Sequence, residues 1–378
     1  MKIQPTPTRR PFGLRLRSRA RAWLTVSALA ALAVSTHSLA QAPTFNTLVT
    51  TYTGDPNYEH PQNAVVGDFN GDGKLDAVIN ANSSNLRLML GNGNGTFTQK
   101  YVSVPGASGG PMQAGDLNGD GKLDVILGSS QGNLAPAVLL NTGNDPNGVP
   151  QFTVTSYAAM YSGIRSLTVG DLNGDSKPDF IIGNANGEFK TYLNNGNGTF
   201  TGGLQRNLQP GAGGPSVGPG VIADMNGDGK ADYLVTSNQN HAINIFLGNA
   251  DGTFQATPTI ISSTDGQWPV VSDVNNDGRR DFLAVDIGTG KLQVYLQNVN
   301  GTFSGPTLYS TGLANPCSLV FTDMNGDGKS DVVTSDYNIG SGINSTLLNN
   351  FLAIPSDFVL PYRRHTSSVP LLRVALKK

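Results

Sequence analysis

The chain is poor in the residues that usually carry chemistry or cross-link a fold. A single cysteine, Cys317, stands among 378 residues, so no intramolecular disulfide framework is available. Beyond residue 40 there are three histidines (His60, His241 and His365), two glutamates (Glu59 and Glu188) and one tryptophan, Trp268. No nucleophile elbow, HExxH pair or phosphate loop is present. No basic patch interleaved with aromatics points to nucleic acid. Helical periodicity of useful length is missing after the first forty residues, and 47 Gly with 22 Pro leave little room for long helices.

What is present begins with a leader. Residues 1–40 hold seven of the 25 Lys+Arg and none of the 27 acids, followed by the apolar run WLTVSALAALAV (Trp23 to Val34) and the small-residue stretch Ser38-Leu39-Ala40. That is the order of a secretory signal. The run is short of the roughly 20 residues that span a bilayer, so export is expected in preference to an N-terminal anchor. Arg9-Arg10 resembles a twin-arginine signal. Without residues 1–40 the chain is formally −9, and 18 of its 27 acids fall in six short loops.

Those loops read DFNGDGKLD at 68, DLNGDGKLD at 116, DLNGDSKPD at 171, DMNGDGKAD at 224, DVNNDGRRD at 273 and DMNGDGKSD at 323. Their starts are 48, 55, 53, 49 and 50 residues apart, a period that belongs to propellers, solenoids or arrays. Around the first loop, Ala64-Val65-Val66 enters and Ala77-Val78-Ile79 leaves. Leu86, Leu88 and Leu90 then alternate with Arg87 and Met89, and a Gly/Asn turn ending in Phe97 precedes another β-prone run. Four short strands per unit, repeated six times, predict an all-β propeller of six antiparallel blades over 43–352, with seven the alternative count. The sixth unit shows no convincing fourth strand. Residues 43–52 are expected to supply it and close the ring, which would remove the open sheet edge at the seam. Residues 353–378 are basic and outside the repeat, and are expected to form a tail.

Each loop offers side-chain oxygens at positions 1, 3, 5 and 9, and a backbone carbonyl at position 7 can join them. Oxygen donors at this density suit Ca²⁺, and the lack of His and Cys disfavours softer metals. The EF-hand is excluded: position 12 is Ile79, Leu127, Ile182, Val235, Ala284 or Thr334 in place of its glutamate, and β-runs replace the flanking helices.

Loop and blade pattern together resemble the FG-GAP or VCBS-type repeats of integrin α-chain propellers and many secreted bacterial proteins, over about 310 of 378 residues. The resemblance implies a propeller binding up to six Ca²⁺ in the hairpins joining strands one and two. By matching position, the implied ligands are Asp68, Asn70, Asp72, Lys74 (carbonyl) and Asp76 in the first loop. Asp116, Asn118, Asp120, Lys122 and Asp124 follow in the second, and Asp171, Asn173, Asp175, Lys177 and Asp179 in the third. The fourth has Asp224, Asn226, Asp228, Lys230 and Asp232; the fifth Asp273, Asn275, Asp277, Arg279 and Asp281; the sixth Asp323, Asn325, Asp327, Lys329 and Asp331. The third loop departs from the pattern with Ser176 for glycine and Pro178 before its last aspartate.

At the blade end opposite these loops the turns differ from blade to blade, as a ligand face on a repetitive scaffold would. His60, Arg165, Glu188, His241 and Trp268 are the candidates there. The expected function is a non-enzymatic, exported binding or adhesion module for an extracellular protein or glycan. The alternative is a calcium-dependent polysaccharide lyase or hydrolase assembled from distant blades.

Overall fold

The apolar runs flanking each acidic loop become the first two strands of a sheet, because Val, Ile, Leu and Phe fill space on a pleated surface packed from both sides. The structure, a computed structural model, describes residues 61–359 other than 82–84, 105–108, 131–134, 159, 161, 209–215, 238–240, 264, 325–329, 337–343 and 350–357. Six four-stranded antiparallel sheets follow one another, each with its strands in chain order. The first is β1 (Pro61–Gly67), β2 (Asp76–Ala81), β3 (Asn85–Gly91) and β4 (Phe97–Ser103). The second is β5 (Gly109–Gly115), β6 (Asp124–Ser129), β7 (Ala137–Asn144) and β8 (Pro150–Ser156). The third is β9 (Ile164–Gly170), β10 (Asp179–Asn184), β11 (Glu188–Asn194) and β12 (Phe200–Asn207). The fourth is β13 (Val217–Ala223), β14 (Asp232–Ser237), β15 (Ala242–Phe246) and β16 (Thr259–Ser262). The fifth is β17 (Gly266–Ser272), β18 (Asp281–Asp286), β19 (Lys291–Gln297) and β20 (Phe303–Ser310).

The sixth sheet is β21 (Val320–Thr322), β22 (Asp331–Ser335), β23 (Asn344–Asn349) and β24 (Phe358–Val359). Its fourth strand thus comes from the stretch read as a C-terminal tail, with Leu348 opposite Val359 and Asn349 opposite Phe358. Residues 43–52, expected in that place, lie outside the described residues, as do the leader and residues 360–378.

These sheets are the blades of an all-β propeller. First strands lie against first strands, β1 on β5, β5 on β9, β9 on β13 and β13 on β17. They are therefore innermost, and the fourth strands, largely exposed, are outermost. No helix among the described residues is long and apolar enough to cross a membrane.

Among the described residues the core forms five apolar layers, each between two successive blades. Val65, Val78 and Leu88 of blade one meet Met112, Val125 and Leu139 of blade two. Phe180 and Ile182 face back to blade two, while Ile181 between them faces forward to blade four. That two-sided packing buries every residue of β10 and explains why the second strands read as unbroken apolar runs. The second residue of each acidic loop serves the same layers: Phe69, Leu117, Leu172, Met225 and Val274 are all buried, each within one of the five clusters. Met324, the sixth of this set, is 50% exposed.

Candidate metal centres

The acidic loops hold their shape through their own side chains. Asp68 accepts N–H groups from Gly71 (2.8 Å) and Asp72 (3.1 Å) on Oδ1 and from Gly73 (2.9 Å) on Oδ2. Asn70 Oδ1 accepts the Asp72 N–H at 3.0 Å, and Asp72 Oδ1 accepts the Lys74 N–H at 2.9 Å. The second, third and fourth loops repeat every one of these bonds. In the third, Ser176 takes the glycine's place at φ 64 and still donates to Asp171 at 2.7 Å. The departure therefore keeps the loop's geometry, at the cost of a left-handed residue with a side chain. The fifth loop keeps the bonds from residues five, six and seven. Of the sixth, Asn325, Asp327 and Lys329 lie outside the described residues.

A cation already sits on the fifth-position carboxylate. Lys74, Lys122, Lys177 and Lys230 fold back to place Nζ 2.8–3.0 Å from Asp72, Asp120, Asp175 and Asp228, and Arg279 pairs with Asp277 in the same way. The Lys74 side chain and backbone hold Asp72 below the usual carboxylate range. These pairs are exposed, so solvent screens them and they add little to stability.

The ninth aspartate behaves differently. Asp76, Asp124, Asp179, Asp232, Asp281 and Asp331 are fully buried. Asp124 accepts the N–H of Leu117 in its own loop at 2.9 Å and that of Asn141, at the end of the apolar stretch of β7, at 2.7 Å. Asp76 (Phe69, Gly91), Asp179 (Leu172, Asn194), Asp232 (Met225, Gly248) and Asp281 (Val274, Gln297) repeat the arrangement at 2.7–3.0 Å. Each staples its loop to the third strand or, in blade four, to Gly248 just beyond it. Burial pushes Asp124 and Asp179 up to about 6, against the opposing pull of those N–H donors, with neighbouring loop carboxylates adding to the rise. Burial raises Asp76, Asp232 and Asp281 as well.

These shifts set a pH dependence. A carboxyl whose folded value lies above the ordinary ~3.9 binds its proton more tightly in the native state, so its contribution is complete below ~3.9 and lost as pH rises through about 6. In excess EGTA, the melting temperature is therefore expected to rise as pH is lowered from 7.5 to 5. A thermal melt that instead falls steadily over this window would contradict the burial of these acids.

The donor set fits a hard cation: every side-chain ligand candidate is oxygen, and Oδ2 of the first aspartate, which accepts a single N–H, keeps a second lone pair. In this geometry, however, no three acidic, histidine or cysteine groups among the described residues converge around one point. The first and fifth aspartates are the accessible carboxylates, and the ninth faces inward.

The sequence reading missed three side chains that join neighbouring loops. Asn141 Nδ2 donates to Phe69 O of the preceding loop at 2.8 Å and to Leu123 O of its own loop at 3.3 Å. Asn194 does the same to Leu117 O at 2.8 Å and Pro178 O at 3.1 Å, and Gln297 donates to Met225 O. Blade four has Gly248 here, and a Cβ at that site would stand 2.1 Å from Ala231 O. The available signal was an amide residue immediately before the third turn in LNT, LNN and LQN.

At the opposite end, the predicted ligand residues occupy blades three to five without touching. Arg165, early in β9, is exposed. Glu188 opens β11 and accepts from Asn184 Nδ2 at 2.6 Å, closing its own hairpin. His241 is exposed at φ 48, and its carbonyl accepts the Ser263 N–H at 2.7 Å. Trp268 sits at a β-bulge of β17 with φ 49, packed on the layer between blades five and six. No hydrogen bond or ring contact among the described residues joins any two of these four, and His60 lies outside the described residues. Asp286, also at this end, is buried and accepts the N–H groups of Gly288 (2.9 Å) and Thr289 (3.0 Å) in its own turn.

Among solved structures, a crystal structure of BBS1N in complex with ARL6DN, soaked with lead, is similar at 11% identity and TM-score 0.46, covering 74% of this chain and 79% of that one. A mercury-soaked counterpart gives 13% identity and TM-score 0.45, covering 74% and 77%. The Photorhabdus luminescens Tc holotoxin pore matches at 17% identity and TM-score 0.35 over 77% of this chain and 14% of that one. No curated protein sequence matches the chain. The FG-GAP-like repeat model matches five overlapping stretches, 68–127, 116–182, 171–235, 224–284 and 273–334, each running from one acidic loop into the second strand of the next blade. The chain belongs to the FG-GAP-like repeat family.

Proposed function

We propose that this propeller is an exported binding module whose loops take up Ca²⁺ and whose opposite end engages an extracellular protein or glycan. The observation that carries the reading is the contrast between the two ends. One end repeats the same loop, bond for bond, in successive blades. The other presents a different set of side chains in each blade, including exposed Arg165 and His241 and half-buried Trp268. A repetitive scaffold with one invariant and one variable end suits recognition on the variable side.

In this reading, Asp68, Asn70, Asp72, the Lys74 carbonyl and Asp76, with their counterparts in the other loops, would hold the ions. The ion would supply positive charge among three carboxylates per loop and fix the hairpin. Export follows from the leader, and the turn-rich polar end suits hydrogen bonding to sugar hydroxyls or a protein surface.

The test is an array of glycans and matrix proteins probed with the chain lacking residues 1–40, in calcium and in EGTA. Retention that weakens at least tenfold in Arg165→Ala, His241→Ala or Trp268→Ala is the expected result. Turnover of an arrayed polysaccharide would replace the reading with the enzymatic one. Absence of any retained ligand in both conditions would count against it.

A further inference from the structure

Asn141, Asn194 and Gln297 each touch two acidic loops at once. The Asn141 N–H is held by Asp124, the ninth residue of the second loop, at 2.7 Å, while its side-chain amide holds Phe69 O, the second residue of the first loop, at 2.8 Å. Asn194 links Asp179 to Leu117 O at 2.7 and 2.8 Å. Gln297 links Asp281 to Met225 O. The acceptors Phe69, Leu117 and Met225 are buried, and their own N–H groups are bonded to Asp76, Asp124 and Asp232. A continuous run of bonds therefore passes from Asp76 through Phe69 and Asn141 to Asp124, and on through Leu117 and Asn194 to Asp179. Gly248, without a side chain, interrupts it between the third and fourth loops. It resumes from Asp232 through Met225 and Gln297 to Asp281.

We infer that these three amides are positioning residues that couple cation uptake between successive loops, in two separate groups: loops one to three, and loops four and five. The inference rests on the calcium reading. Any adjustment of Asp124 when its loop is loaded is passed to Asn141, whose amide fixes the carbonyl beside Asp68 in the preceding loop. Coupling through packed, hydrogen-bonded groups of this kind is reciprocal between the sites it joins.

The glycine at position six reports each loop separately, because the N–H groups of Gly73, Gly121, Gly229 and Gly278 each donate to the first aspartate of their loop. Calcium chloride titrations of the ¹⁵N-labelled chain lacking residues 1–40, followed by amide NMR, read the half-saturation of each. In Asn141→Ala, the Gly73 and Gly121 signals are expected to need about 3–10-fold more calcium, the range of one neutral hydrogen bond. Gly229 and Gly278 should titrate as in the wild type. Asn141→Gln should restore the first pair, since glutamine fills this role in blade five. A further arm uses Asp68→Ala, which should weaken Gly121 loading in the wild-type background but not alongside Asn141→Ala. If Asn141→Ala does not fold, Gln297→Ala gives the mirror experiment, shifting Gly229 and Gly278 and sparing Gly73 and Gly121. Unchanged half-saturation in a folded variant would overturn the coupling while leaving the calcium reading intact. No calcium response in the wild type would remove both.

Discussion

Excess EGTA is expected to lower the melting temperature of the chain lacking residues 1–40 by about 3–12 °C relative to about 1 mM Ca²⁺. Extracellular calcium modules bind with Kd of roughly 10⁻⁴–10⁻³ M. At ~1 mM, one such site stabilises the native state by about 0.4–1.4 kcal/mol, and six by about 2–8 kcal/mol. With an unfolding entropy of ~2.1 cal/mol/K per residue over roughly 310 residues, that becomes the stated range. The structure adds a reason for the effect to be large. Burying the ninth aspartate has a cost when it is ionised, as the rise of Asp124 and Asp179 to about 6 records. A divalent cation nearby would favour that ionised form, so chelation and high pH should destabilise together. Differential scanning fluorimetry at pH 7.5, with magnesium as a control for ionic strength, is the measurement. A melt insensitive to chelator would defeat the proposal.

Asp124→Ala and Asp120→Ala should differ sharply although both remove a carboxylate from the same loop. Asp124 is buried and is the acceptor for two backbone N–H groups. Its loss leaves both donors without a partner, at about 1–3 kcal/mol each, so the expected cost is about 2–6 kcal/mol. The comparison is best made at pH 5 in EGTA, where the wild-type carboxyl is mostly protonated and its removal brings no relief from burying a charge. Asp120 is exposed and paired with its own Lys122 at 2.8 Å. Its removal should leave stability in EGTA nearly unchanged and act only when calcium is present. Urea unfolding of the two variants measures this. Equal costs in EGTA would mean that the ninth aspartate is not a staple.

Much of the architecture was legible because the acidic loop fixes the phase of every blade. The short apolar runs on either side of DxNxDGxxD became β1 and β2 and their counterparts. The Gly/Asn turn ending in phenylalanine marked the start of the fourth strand in blades one, three and five, at Phe97, Phe200 and Phe303. Less legible was the sixth blade, whose fourth position is taken by Phe358–Val359, since a two-residue strand leaves no periodic pattern. The role of the ninth aspartate was also hidden. The motif presents it as one more oxygen donor, but its partners include a backbone N–H on the third strand, 15–17 residues on. The amide ties were further out of reach, because their acceptors lie 72 or 77 residues earlier in the chain. Only docking of one blade on the next brings such pairs together. At the variable end, Glu188 stood out as one of two glutamates after the leader, yet the structure spends it on Asn184. Rarity in a sequence says nothing about whether a neighbour within the same hairpin already engages a group.

Equilibrium dialysis against radiolabelled calcium, carried to saturation with the chain lacking residues 1–40, tests the central claim most directly. Retention of five or six ions per folded chain, removed by EGTA, is the predicted result; a folded chain that retains none would contradict it.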